Sequence, residues 1–168
     1  MSTQPSPGDT PELVLAYDRQ EDVLALLTEY TDSILQHGEE VRQCLQSQHL
    51  EEELIDLQTK YALPHGRLYL ALVQGVPAGC VALTPNDDKF CEIKRLYLRP
   101  AFRGHHLEEL LTQRVIQDAK AIGYRHMRLD TFPFMVEAIG LYQRLGFTFI
   151  PRYNDNPAEN ALFMQLDL

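Results

Sequence analysis

Cys91–Leu111 reads CEIKRLYLRPAFRGHHLEELL, and this stretch decides the fold. Apolar residues from Phe90 to Leu98 predict a strand, which Arg99-Pro100 closes. Phe90, Ile93, Leu96 and Leu98 do not keep one parity, so a β-bulge is expected near Lys94-Arg95. From Arg103 to about Gly123 a helix is predicted, with Leu107, Leu111, Val115, Ala119 and Ile122 at helical spacing. A strand, a tight loop and a helix start together offer backbone N–H groups and a positive helix end to an anion.

Working outward from there, Arg125–Thr131 alternates Met127, Leu129 and Thr131 as a strand does. Strand, crossover helix and strand in succession imply a parallel pair. Pro133 is expected to open a helix carrying Ala138, Leu141, Tyr142 and Leu145 on one face, with Gly146 ending it. Phe147–Tyr153 and Ala161–Leu168 are the last strands, joined through Asn154-Asp155-Asn156-Pro157. On the N-terminal side, Leu13–Tyr17 is a short strand, and Asp18 would cap a helix burying Val23, Leu26, Leu27, Tyr30 and Ile34. After Gly38 a second helical region runs to Tyr61 and carries the acidic run Glu51-Glu52-Glu53, expected on a solvated face. Arg67–Gln74 and Val76–Thr84 form a hairpin, with Pro77 at an edge or among the first residues of its strand. The fold class is therefore α/β, a mixed sheet of about seven strands flanked by about four helices. Residues 1–11 are expected to be a flexible tail and 12–168 one domain.

At a net charge of −9 the chain is a poor partner for nucleic acid or an anionic membrane, both of which need clustered positive charge. An amine-bearing small molecule suits that field better. Cys44, Cys80 and Cys91 lie in apolar segments and are odd in number, which fits reduced, buried thiols in a cytoplasmic protein. Residues 1–10 lack the apolar core of a signal peptide, and no apolar run approaches the ~20 residues of a membrane span. No metal is expected: His105-His106 lacks the spaced partners of a zinc site, and HExxH and CxxC patterns are missing.

Three segments, in order, resemble the GNAT superfamily of acyl-CoA-dependent N-acyltransferases. Glu92–Pro100 (EIKRLYLRP) is similar to its bulged fourth strand, and Arg103-Gly104 with the following helix to its pyrophosphate loop. Ala138–Phe147 (AIGLYQRLGF) is similar to its LYxxxGF signature. The resemblance implies a sheet partly splayed between the fourth and fifth strands, with acetyl-CoA as acyl-donor cosubstrate. It also implies transfer to the amine of a small molecule or peptide by direct attack in a ternary complex, by a monomer or homodimer. Leu96, Tyr97 and Leu98 would offer backbone groups to the pantetheine arm, and Arg103, Gly104, His105, His106, Leu107, Glu108 and Glu109 would form the phosphate loop. Tyr142 would act as general acid or simply pack on its helix's apolar face. Glu92 would act as general base, directly or through water, or lie on the solvent face of its strand. Acceptor walls are expected around Tyr30, Ile34, residues 61–65, Phe132–Phe134 and 153–157.

The loop departs from the family's pattern, since His106 and Glu108 stand where two small residues belong. A side chain there takes space that a pyrophosphate needs, and Glu108 and Glu109 add negative charge. The alternative reading is a GNAT-fold protein that has lost its cofactor and serves as a ligand-binding or protein-interaction module.

Overall fold

The structure is a computed structural model that describes residues 10–39, 42–43 and 57–168. Seven strands form one sheet in the order β1-β2-β3-β4-β5-β7-β6. They are β1 (Glu12–Leu15), β2 (Arg67–Val73), β3 (Val76–Pro85), β4 (Phe90–Leu98), β5 (His126–Thr131), β6 (Thr148–Ile150) and β7 (Leu162–Asp167). The described helices are α1 (Gln20–Leu35), the single turn α2 (Leu57–Lys60), α3 (Leu107–Ile122) and α4 (Val136–Arg144), with a 3-10 turn at Pro100–Phe102. The expected helical region after Gly38, with its acidic run and Cys44, lies mostly outside the described residues. Among the described residues no helix is long and apolar enough to cross a membrane.

Strand alternation builds two core layers. Leu68, Leu70, Leu72, Cys80 and Ala82 face Val23, Leu26 and Leu27 of α1. Tyr69, Ala71, Val81, Leu83, Cys91 and Ile93 face Leu111, Val115 and Ala119 of α3. The bulge explains the broken parity of β4. Cys80 pairs with Tyr97 and Ala82 with Lys94, so β4 carries one extra residue there, and Arg95 takes a left-handed φ of 58°. Ile93 and Leu96 therefore both reach the α3 layer, while Tyr97 turns to the α1 layer. Gly79 lies against this distortion: a Cβ there would sit 2.6 Å from the Tyr97 carbonyl oxygen.

Several boundaries differ from expectation. Residue Arg19, rather than Asp18, precedes α1, and no side chain caps that helix. α3 begins at Leu107, not Arg103, because the 3-10 turn, Gly104 (φ 88°) and His106 (φ 61°) turn the chain first. α4 begins at Val136 because the Met135 N–H closes a turn onto the Phe132 carbonyl. β3 is flanked on both sides, so Pro77 is tolerated as its second residue and not at a sheet edge. Cys80 and Cys91 are buried free thiols, and burial pushes each up to about 12.

Candidate active site

β4 and β5 run parallel but pair only at Phe90–His126, Cys91–Met127 and Glu92–Arg128. Beyond these the strands part, and a slot opens between them. Ile93, Leu96, Leu129 and Tyr142 line it from the α3 layer. Tyr30, Ile34, Lys94, Asp130 and Phe132 line it as well, with Arg95 at the bulge and Thr131 and Met135 at its β5 end. Residues of both sheet layers thus meet in one opening. Backbone groups on parted strand edges need hydrogen-bond partners, which an amide-bearing ligand can supply.

Tyr142 is 7% exposed and its ring tilts against Phe147 at 5.5 Å. Burial raises its hydroxyl well above the usual phenol range, and Tyr30 and Asp130 add to that. The group is therefore a protonated donor at neutral pH. Tyr142 thus packs on the apolar face of α4, as one expectation had it, and also lines the slot.

Glu92 is not on a solvent face, being 7% exposed at the start of the parting. Asn86 Nδ2 donates to its Oε1 at 2.5 Å, and Lys94 Nζ lies 3.5 Å from its Oε2. Arg128 Nη2 donates to the Oδ1 of the same Asn86 at 3.1 Å. The Arg128 guanidinium lies between the Phe90 and Tyr153 rings, 4.3 and 4.1 Å from their centroids. Burial drives the Tyr153 hydroxyl far above the phenol range, reinforced by the charges of Glu92 and Asp130. Asp130 in turn accepts from Asn154 Nδ2 at 3.1 Å, tying the β6–β7 loop to β5.

Asn86, Lys94, Arg128 and Asp130 were not singled out in the sequence. Asn86 reads as turn chemistry, Lys94 only as part of the expected bulge, and Arg128 and Asp130 as the polar positions of an alternating strand. Arg128, between Met127 and Leu129, carried a signal, since apolar neighbours on both sides mark a strand covered on both faces.

The phosphate-loop candidates form one turn. Arg103 Nε donates to the Leu98 carbonyl at 3.1 Å, which occupies an oxygen expected to face the pantetheine arm. Gly104 has open space where a Cβ would stand. His106 precedes α3 in a left-handed conformation with no side-chain cap, and its side chain is 86% exposed. Leu107 anchors the turn against Ala78 and Leu98. His105 is exposed, and Glu108 and Glu109 occupy the first turn of α3, with Glu109 Oε2 3.8 Å from His106 Nδ1. The left-handed backbone at His106 closes the turn into α3, with the side chain exposed to solvent. The residues present therefore fit an anionic group at the α3 start, against the charge of two carboxylates.

The expected acceptor walls divide. Tyr30, Ile34 and Phe132 line the slot, and Phe132, Phe134 and His37 stack in sequence beside it. Tyr61 does not line it: the side chain is fully buried under α1, and the Tyr17 hydroxyl donates to its carbonyl at 2.6 Å. Asn154 and Asn156 adjoin the slot through Asp130.

The model of the acetyltransferase (GNAT) family matches residues 34–147. An uncharacterized N-acetyltransferase of Schizosaccharomyces pombe is 38% identical over 123 residues, 72% of this chain and 76% of that protein. An acetyltransferase from Streptococcus agalactiae superposes with a TM-score of 0.78 at 19% identity, covering 97% of this chain and all of that one. A GNAT family acetyltransferase from Elizabethkingia anophelis, solved with acetyl-CoA bound, superposes with a TM-score of 0.56 at 26% identity, over 69% of this chain and 82% of that one. With the splayed sheet, the bulged β4 and the family match in agreement, this chain belongs to the GNAT acetyltransferase family.

Proposed function

We propose that the protein transfers the acetyl group of acetyl-CoA to the amine of a small molecule or peptide by direct attack in a ternary complex. The observation that carries this reading is the slot, because it joins the two faces of the sheet. A donor laid along the parted strands from the α3 side would bring its thioester to Tyr142. An amine entering past Tyr30, Lys94 and Asp130 would meet it without a covalent enzyme intermediate. The acetyl-CoA bound to the Elizabethkingia relative supports the same donor here.

In this reading Glu92 takes a proton from the incoming ammonium, directly or through water. The neutral nitrogen attacks the thioester carbonyl while the Leu96 N–H stabilises the developing oxyanion. As the new C–N bond forms the C–S bond breaks, and Tyr142 gives its proton to the departing thiolate. The second proton lost by nitrogen returns through solvent to Tyr142, leaving an amide and CoA thiol. Arg103 and the first-turn amides of α3 would hold the pyrophosphate.

The test is a panel of amines, amino acids and peptide N-termini incubated with acetyl-CoA, read as thiol release and product mass, beside calorimetric titration of acetyl-CoA. Binding with transfer to at least one amine class is expected. Absence of binding at millimolar acetyl-CoA would remove the enzymatic reading and leave a binding module.

A further inference from the structure

We propose that Asn86 and Arg128 form a bridge that positions Glu92 for its role at the slot; this rests on the reading of Glu92 as the base. Arg128 cannot rotate freely, because aromatic rings cover both faces of its guanidinium. A guanidinium only donates, so the amide oxygen of Asn86 must face Arg128. The amide NH2 is then committed to the carboxylate of Glu92. Arg128 thus sets which way Asn86 points, and Asn86 sets which way Glu92 points.

The hairpin supports the arrangement from the other side. The Asn86 N–H donates to the Phe90 carbonyl at 2.8 Å, and Asp87 Oδ1 accepts from the amides of Lys89 and Phe90 at 2.8 Å each. The interposed amide also has an electrostatic consequence. An arginine forked directly onto Glu92 would hold the carboxylate so firmly ionised that it would be a poor proton acceptor. With Asn86 between them, orientation is transmitted while the guanidinium charge stays one side chain away, which leaves Lys94 Nζ, 3.5 Å from Oε2, as the cation against Glu92. The remaining groups near Glu92 are Lys94 and the adjacent Cys91 thiol on its own strand and the Tyr153 hydroxyl on the β6–β7 loop, which Asp130 of β5 also faces.

The bridge has a cost in the fold. The Arg128 Nε is buried without a hydrogen-bond partner among the described residues, and the Tyr153 hydroxyl is buried against Glu92. Such groups are destabilising relative to a well-packed apolar set of the same size.

Three variants test the bridge: Asn86→Asp, Arg128→Gln and Glu92→Gln. Each is assayed with acetyl-CoA and the fastest amine of the panel across neutral pH, with thermal denaturation alongside. Asn86→Asp keeps the contact to Arg128 but places a carboxylate against Glu92. Its acid limb of kcat should move up by about one pH unit, with KM for acetyl-CoA within about twofold of wild type. Arg128→Gln frees the amide to flip, and kcat should fall about tenfold at an unchanged acetyl-CoA KM. A merely structural role would lower the melting temperature and leave the limb in place. Asn86 sits on an exposed turn, so its variant decides the matter even where Arg128→Gln does not fold. An unmoved limb in Asn86→Asp, with Glu92→Gln inactive, would overturn the bridge alone. Glu92→Gln at the wild-type rate would overturn the reading of Glu92 itself.

Discussion

Replacing His106 with glycine should improve both the fold and its donor site. His106 holds φ 61° immediately before α3. A left-handed backbone costs a residue with a Cβ about 1–2 kcal/mol, and histidine tolerates it better than most, so the lower figure applies. Glycine removes that strain but gives back about 0.4–1 kcal/mol of unfolded-state entropy. The contact to Glu109, at 3.8 Å on an exposed side chain, adds little. A net gain of up to about 0.5 kcal/mol follows, which raises the melting temperature by about 1–2 °C in a chain of this size. The same substitution removes an imidazole from the turn and lets a pyrophosphate approach the backbone, so acetyl-CoA should bind more tightly by calorimetry. His106→Ala is the control: it retains the Cβ and its strain and should show no stability gain. The reasoning fails if His106→Gly melts below wild type, or binds acetyl-CoA more weakly than His106→Ala does.

Further outcomes follow from other contacts. Tyr142→Phe keeps the ring against Phe147 and should leave the melting temperature nearly unchanged, while kcat falls about 10²-fold, the lower range for loss of a general acid. Glu108→Gln and Glu109→Gln should each tighten acetyl-CoA binding by up to about fivefold, equivalent to about 1 kcal/mol of relieved repulsion. That gain should shrink as salt is added during calorimetry. Gly79→Ala drives a methyl group into the Tyr97 carbonyl at the bulge and should destabilise by about 1–3 kcal/mol in urea denaturation. Asp87 is held below the ordinary aspartate range by the Lys89 and Phe90 amides. Its contribution is present above the unfolded-state value of about 3.9 and is lost as pH falls through the lower native value. The gap in melting temperature between wild type and Asp87→Ala should therefore be open at neutral pH and close in strong acid.

The fold was legible because its signals are local. The parity break between Ile93 and Leu96 located the bulge, and helical spacing after Leu107 identified α3. Turn chemistry at Gln74-Gly75, both with positive φ, identified the β2–β3 hairpin. Helix starts were misjudged where tertiary turns intervene, as at Gly104 and Met135. The site was only half legible. Tyr142 and Glu92 were named from the motif, yet whether Glu92 was buried depended on its neighbours across the sheet. Asn86 and Arg128 lie 42 positions apart and meet only when β5 is laid beside β4. Nothing in a turn asparagine or an alternating strand arginine announces that meeting.

The narrow seam between β4 and β5 has one more consequence. Three residue pairs join a half-sheet of β1–β4 to a half-sheet of β5, β7 and β6. The first half carries the bulge of β4 and, at its end, the turn that leads into α3. The second half brings Asp130 and the loop tied to it to one wall of the slot, facing Tyr30 and Lys94 of the first half. With so few pairs across the seam, each half-sheet rests mainly on its own helices, so a substitution in one half can shift one wall of the slot while the other keeps its shape.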